Sequence, residues 1–387
     1  MRRLLIALFS LLSPALFAHD GMRMEMPKGP ELGASAAFDS HGRLWLVDAA
    51  DGHVRLRHSD DGHTLSAPIE VNAMAERIYA EGENRPKLAF GPHNEIYVSW
   101  SQPRAAPWTG FVRFARSLDR GEHFSEPLTV HHDRAEITHR FDALAVDDKG
   151  RIVIAWIDKR DLLTATAAGK PYLGAAIYYS WSDNGGASFG PERKLMDQSC
   201  ECCRIALARI PDGEVAAFFR SIYGDNIRDH AYAVLHTDGQ ASHAERATFS
   251  DWQIAGCPHH GPGLAIGHDG TRHAVWYEAK DKPTIHYGQL DPGHKPKHPL
   301  VVADAGASHA DVAVHDHTVW VAWNKVSTDG FTLMLRRSTD NGAHFDAARE
   351  VARSSGAVGA PQLLLKQGRA FVAWNTAAGF RLVEVPR

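Results

Sequence analysis

The chain has 387 residues, a formal net charge of −4, and acidic and basic side chains interspersed along its length. That balance leaves no electrostatic footprint for nucleic acid, so a small ligand or a metal ion is the expected partner. The 24 histidines stand out, because a neutral imidazole carries protons near neutral pH and is a common metal ligand, although simple surface exposure accounts for most of them.

The first eighteen residues, MRRLLIALFSLLSPALFA, place two arginines before an apolar run from Leu4 to Leu12, with small residues around Ala15 and Ala18. This is the layout of a signal peptide spanning residues 1–18, and it predicts a periplasmic or secreted protein. The run is too short to cross a bilayer as a stable helix, and no later stretch is long and apolar enough to do so. Residues 19–387 then form one domain with room for a large core. Cleavage after Ala18 leaves a start of His19-Asp-Gly-Met22-Arg-Met24-Glu-Met26. A terminal amine with an imidazole chelates copper(II), and alternate thioethers suit copper(I). The same period of two also suits a strand that packs its methionines on a blade.

One unit then recurs: a short apolar strand, a tight turn, and a second apolar strand ending in an aromatic. The turns fall at Gly42, Asn94, Gly150, Gly213, Gly270, His317 and Gly368, at separations of 47 to 63 residues that match a four-stranded blade with its loops. Six residues after each turn come Asp48, Trp100, Trp156, Phe219, Trp276, Trp323 and Trp374. Segments such as EIYVSW and RIVIAW are rich in β-branched and aromatic residues and read as strands buried on both faces. No stretch shows a 3.6-residue period. One large ring at a fixed place per repeat predicts blade-to-blade packing. The expected fold is all-β, a single β-propeller of four-stranded antiparallel blades, seven by the count of turns. The last repeat stops after a third strand, FRLVEV, and residues 22–28 are expected to supply the fourth, since an open edge invites pairing.

Further along four repeats lie HSDDGHTL from His58, SLDRGEHF from Ser117, WSDNGGASF from Trp181 and STDNGAHF from Ser338. The second and fourth match Ser-x-Asp-x-Gly-x-x-Phe outright, the first ends in Leu65, and the third carries one extra residue. Weaker echoes start at His236 and Gln289. The pattern resembles the Asp-box, or BNR repeat, of sialidase-like propellers. Physically it is a hairpin in which a carboxylate accepts backbone N–H groups and a glycine takes positive φ. The resemblance implies that Asp60, Asp119, Asp183 and Asp340 are structural and lie away from the active face. Six-bladed members of the family leave six blades as the other count.

The opposite face gathers the loops that lead into each innermost strand and those that follow each second strand. It holds Arg85, His139, Arg140, Arg204, His259, His260 and His309 from the first set, and Asp158, Arg160, Asp161, Arg220, Arg228, Asp229, His230 and Glu278 from the second. The resemblance implies three arginines clamping a carboxylate, and Arg85, Arg140 and either Arg204 or Arg220 are the available imitators. The chain departs from the family elsewhere. Its one Arg-Ile-Pro, at Arg209, lies in the fourth repeat, and no tyrosine follows Tyr287 to act as the late nucleophile. Asp158 and Glu278 remain as weak acid–base candidates, but classical exo-sialidase activity is not expected.

All four cysteines, Cys200, Cys202, Cys203 and Cys257, sit in two consecutive lead-in loops, and Cys257 is followed by His259 and His260. Thiolates and imidazoles in one patch suit copper(I) or zinc. An even number of cysteines in an exported chain also suits disulfides, with one bridge from the first loop to Cys257 stapling two blades. His139, His309, His19, Met22, Met24 and Met26 are weaker ligand candidates. His131, His132 and Asp133, like His315, Asp316 and His317, are assigned to solvent, and residues 158–161 to a solvated loop. The leading expectation is an exported propeller binding a soft metal ion, copper or zinc, at the channel mouth, in metal handling or redox chemistry. The alternatives are a glycan-binding or glycan-hydrolysing propeller and a platform for a periplasmic protein partner.

Overall fold

The computed structural model describes residues 32–386. The signal peptide, His19, the three early methionines and the expected closing strand at 22–28 lie outside the described residues. Seven antiparallel sheets form the ring, six of four strands and the last of three. Their innermost strands start at Ser35, Lys87, His139, Ala206, Gly263, Ala307 and Gln362. Seven blades are therefore present, and the six-bladed count is set aside. No helix among the described residues is long and apolar enough to cross a membrane.

The core is divided into seven apolar clusters, each filled from two neighbouring blades. Trp100 packs with Val47, Val54 and Leu56 of the blade before it. Trp156 meets Val112 and Phe114 of the second blade, Trp323 meets Ile285 and Tyr287 of the fifth, and Trp374 meets Ala322 and Leu333 of the sixth. The repeated aromatic is thus the wedge between blades, as its fixed place predicts, and it removes a large apolar area from water at each seam. The strand between turn and wedge is sandwiched by sheets on both sides. All seven residues of Ile152–Asp158 are buried. Asp48, where the aromatic is missing, pairs instead with Arg55 and Arg57 of the adjacent strand. The ring closes through Leu44, Leu46, Leu364 and Ala373 of the first and last blades, with Gln362 Oε1 accepting the Ala36 N–H at 3.0 Å.

The four serine turns share one hydrogen-bond scheme. Ser117 Oγ donates to Asp119 Oδ1 and accepts the Gly121 N–H, both at 2.7 Å, while Asp119 Oδ1 accepts the His123 N–H at 2.9 Å. Ser338, Asp340, Gly342 and His344 repeat it. The other two turns correct the expected assignment. In the third, Asn184, not Asp183, takes the Ser182 hydroxyl and the Ser188 N–H, so the motif runs Ser-x-Asn-x-Gly-x-x-Phe with no extra residue. In the first, Asp61 does the work, accepting the N–H groups of His63 and Thr64, while Asp60 reaches outward to Arg43.

Two further expectations are overturned. The loop after Asp158 is a helix, Arg160–Ala167, whose first N–H is accepted by Asp158 Oδ1 at 2.9 Å. Two turns of helix are too short to show as a sequence period. His131 is fully buried, not solvated, stacked on His139 with ring centres 3.9 Å apart. Its ring spans the Val112 N–H and the Asp133 carbonyl, which satisfies a neutral imidazole inside the fold.

Candidate functional site

The centre of the ring is crossed by the segment that leads into the second blade. Glu81 and Asn84 pair across a tight turn at Gly82, whose φ is +55°, and the following side chains reach other blades. Asn84 Oδ1 accepts the Phe141 N–H of the third blade, and Arg85 donates to the Ala360 carbonyl beside the seventh at 2.9 Å. Glu83 goes furthest. Its carboxylate accepts the Gly261 N–H at 2.6 Å, lies 3.6 Å from the Arg204 guanidinium, and faces His309 Nδ1 at 3.4 Å. Burial works against its charge, but Arg204, His309 and the Gly261 N–H outweigh it and hold the carboxyl well below the usual range. This plug floors a cavity of about 590 Å³.

Cys202, Cys257, His259, His260, His309 and Arg140 all line that cavity, together with Glu83, Trp108, Phe141, Lys159 and Glu201. The two cysteine loops, distant in sequence, therefore meet at one mouth. Cys200 Sγ lies 4.0 Å from Cys202 Sγ and 3.4 Å from Cys203 Sγ, and the three sulfurs are mutually within 4.8 Å. None of the four cysteines forms a disulfide. These separations are far beyond the roughly 2.05 Å of a covalent bridge. Sulfurs around one ion at 2.3 Å stand about 3.8–4.0 Å apart, so the Cys200–Cys202 separation matches and the Cys200–Cys203 pair is closer by a few tenths of an ångström. The four thiols interact so closely that they titrate together, the neighbouring thiols lowering the Cys200 thiol, and its contact raising theirs.

His260 and His309 are stacked, with centres 4.6 Å apart and planes 13° apart, and His260 stacks again on Tyr277 at 4.1 Å. Parallel rings aim their free nitrogens side by side and do not converge on one ion, so the pair is not a joint chelate. His260 Nδ1 donates to the Pro258 carbonyl and His309 Nδ1 faces Glu83, and both rings line the cavity. Burial, then the neighbouring His309, lowers the His260 pKa to about 4. His309 and Phe141 occupy equivalent irregular positions. In each strand two residues oppose the wedge tryptophan of the partner strand, and φ is +50° at His309 and +55° at Phe141. Such bulges re-aim side chains next to functional sites.

The remaining candidates are elsewhere or otherwise engaged. Arg85 is tied to Ala360, Arg204 to the carbonyls of Pro262 and Ala310, and Arg220 to those of Arg228, Tyr277 and His260. They brace loops and do not present a clamp. Asp158 is completely buried, accepting the Trp156 indole N–H and a two-point pair from Arg160. His139 lies behind it, buried, 3.6 Å from Asp158. Glu278 pairs with His286 at 2.7 Å, outside the cavity lining. The sequence reading missed Glu83, Trp108, Phe141 and the Lys159–Glu201 ion pair at 2.6 Å. Glu83, an acid inside a lead-in segment, was the one with a signal.

No protein-family model matches the chain, and no curated protein matches it by sequence. Among solved structures it is similar to a PL25 ulvan lyase bound to -[GlcA(1-4)Rha3S]-, with a TM-score of 0.56, 10% identity and 92% of each chain covered. It is also similar to the Hadza microbial sialidase Hz136, at a TM-score of 0.49 and 12% identity over 87% of this chain and 74% of that one. The NanB sialidase from Streptococcus pneumoniae gives 0.49 and 9%, over 88% and 82%. The likeness is one of fold. At such identities it extends to the ring of blades and not to any activity.

Proposed function

We propose that this chain is an exported Asp-box propeller that holds a soft metal ion, copper(I) or zinc, at its channel mouth through Cys200, Cys202 and Cys203, with Cys257 completing the set. The observation that carries this reading is the cluster of three buried thiols whose sulfurs lie within 4.8 Å of one another, close enough to share one ion. Soft thiolates select copper(I) or zinc over calcium or magnesium. The decisive experiment is metal analysis of anaerobically purified mature protein, with thiol titration before and after chelation. Stoichiometric copper or zinc, and thiols that become titratable only after chelation, support the site. Metal at trace level with four freely titrating thiols removes it.

A second reading follows from the company the fold keeps: the sialidases, and an ulvan lyase bound to an acidic sugar chain. Trp108, Phe141 and Arg140 give the cavity two aromatic walls and one cation, a set that suits a carboxylated sugar. Arg85, Arg204 and Arg220 spend their donors on carbonyls, which argues against a three-arginine clamp. Binding by a panel of acidic oligosaccharides tests this reading.

A further inference from the structure

A metal ion among four sulfurs needs almost no open volume, yet the cavity above the thiols measures about 590 Å³. That is the size of pockets that hold small organic molecules, some twenty times the roughly 30 Å³ share of one water. Its wall carries a cation of unusual kind. Arg140 is 5% exposed and lies over three rings, Tyr79 at 4.2 Å, Phe141 at 5.2 Å and Trp108 at 5.5 Å. Its Nη1 reaches the Trp108 carbonyl at a long 3.4 Å, and its buried Nε has no hydrogen-bond partner among the described residues. Glu81 acts on it through space. Buried donors are normally satisfied; other arginines among the described residues also leave Nε unpaired, but Arg140 is the one of them that lines the cavity, where an acceptor could meet its fork. Gly110 is part of the arrangement, since a Cβ there would come within 2.9 Å of the Arg140 stem. Arg140 and Cys202 line the same cavity.

Resting on the soft-metal reading above, we propose that the ion reaches the thiols as an anionic organic chelate, its carboxylate docked on Arg140 and its flat apolar body laid on Trp108 and Phe141. Trp108 is 49% exposed at the rim, and its backbone is held at φ +61°. Transfer is then ligand exchange. Each incoming sulfur gives its thiol proton to solvent, copper(I) stays copper(I), and the chelator leaves with its donor atoms free.

The test is anaerobic loading of the full chain from three copper(I) donors, followed by absorbance: the acetonitrile complex, the complex of the flat, carboxylate-free ligand neocuproine, and the complex of the flat, carboxylated ligand bicinchoninate. Arg140→Ala is expected to load normally from the first two and about tenfold more slowly from the third, the loss of one charge-assisted contact. Trp108→Ala, at an exposed position that tolerates truncation, is expected to slow both flat donors and spare acetonitrile. Equal rates for wild type and both variants with every donor overturn the chelate proposal while leaving the metal site standing. Should Arg140→Ala fail to fold, unchanged loading of Trp108→Ala from the flat donors overturns it alone. Failure of the wild type to take copper from acetonitrile, with zinc absent from the purified chain, overturns the metal reading itself.

Discussion

Glu83 Oε2 accepts the Gly261 N–H at 2.6 Å, so a side chain of the second blade is bonded to the loop leading into the fifth across the middle of the ring. Arg204 stands on the other side of the same carboxylate. Removing one member of a buried pair leaves a bare charge, so Glu83→Ala is expected to cost about 3–5 kcal/mol. Glu83→Gln keeps an acceptor for Gly261 and should cost less. Denaturant midpoints at unchanged slope decide the matter, and a loss under about 1 kcal/mol for the alanine variant would contradict the bracing role.

The wedge residues set the stability of the seams. Trp156 is fully buried between the second and third blades, and Trp156→Ala should cost about 3–5 kcal/mol. Trp108→Ala, at the rim, should stay within about 0.5 kcal/mol. Thermal unfolding of the two variants side by side separates the two kinds of tryptophan.

The first serine turn offers a sharper comparison between neighbours. Asp61→Ala removes the acceptor for His63 and Thr64 and should lower Tm, whereas Asp60→Ala breaks only an exposed pair with Arg43 and should leave it unchanged. Equal shifts for both would show that the carboxylate scheme is misassigned.

Acid should weaken the fold well before the carboxylates titrate. His273 is buried against the Tyr287 hydroxyl, and burial lowers its pKa to about 4 from 6.5. Above pH 6.5 neither folded nor unfolded chain is protonated there, and the full contribution is present. As pH falls from 6.5 toward 4 the unfolded chain takes up a proton that the folded one refuses, and stability drops by about 1.4 kcal/mol per pH unit. His131, lowered to about 2 by burial and then by His139, adds in the same direction. Stability measured against pH should show this slope, and His273→Gln should flatten it by about one histidine's share. A pH-independent Tm between 6.5 and 4 would refute the buried neutral state.

Copper(I) or zinc should raise Tm in the wild type and not in Cys200→Ser, because the Cys200 sulfur is within 4.0 Å of Cys202 and 3.4 Å of Cys203. At a hundredfold excess over Kd the gain is about 2.7 kcal/mol. A calorimetric scan that is insensitive to metal in the wild type would count against the site.

The ring was legible because its signal is repeated. A turn and a wedge recur in register, and seven weak matches add up to one strong one. The meeting of Cys202 and Cys257 was legible for the same reason, since a propeller brings every lead-in loop to one face. What stayed hidden depends on register and packing. Nothing in THRFD or SHAD announces that Phe141 and His309 sit at strand irregularities with positive φ. His131 and His139 are polar letters that become a buried stack only once two blades close on them. Three of the four clamp arginines looked free because the backbone carbonyls that take their donors belong to loops elsewhere in the chain.

The segment 81–87 fastens the ring from within. Its side chains are bonded to the third blade and to the loops leading into the fifth and seventh, so a blade that works loose at the rim stays tethered at the hub.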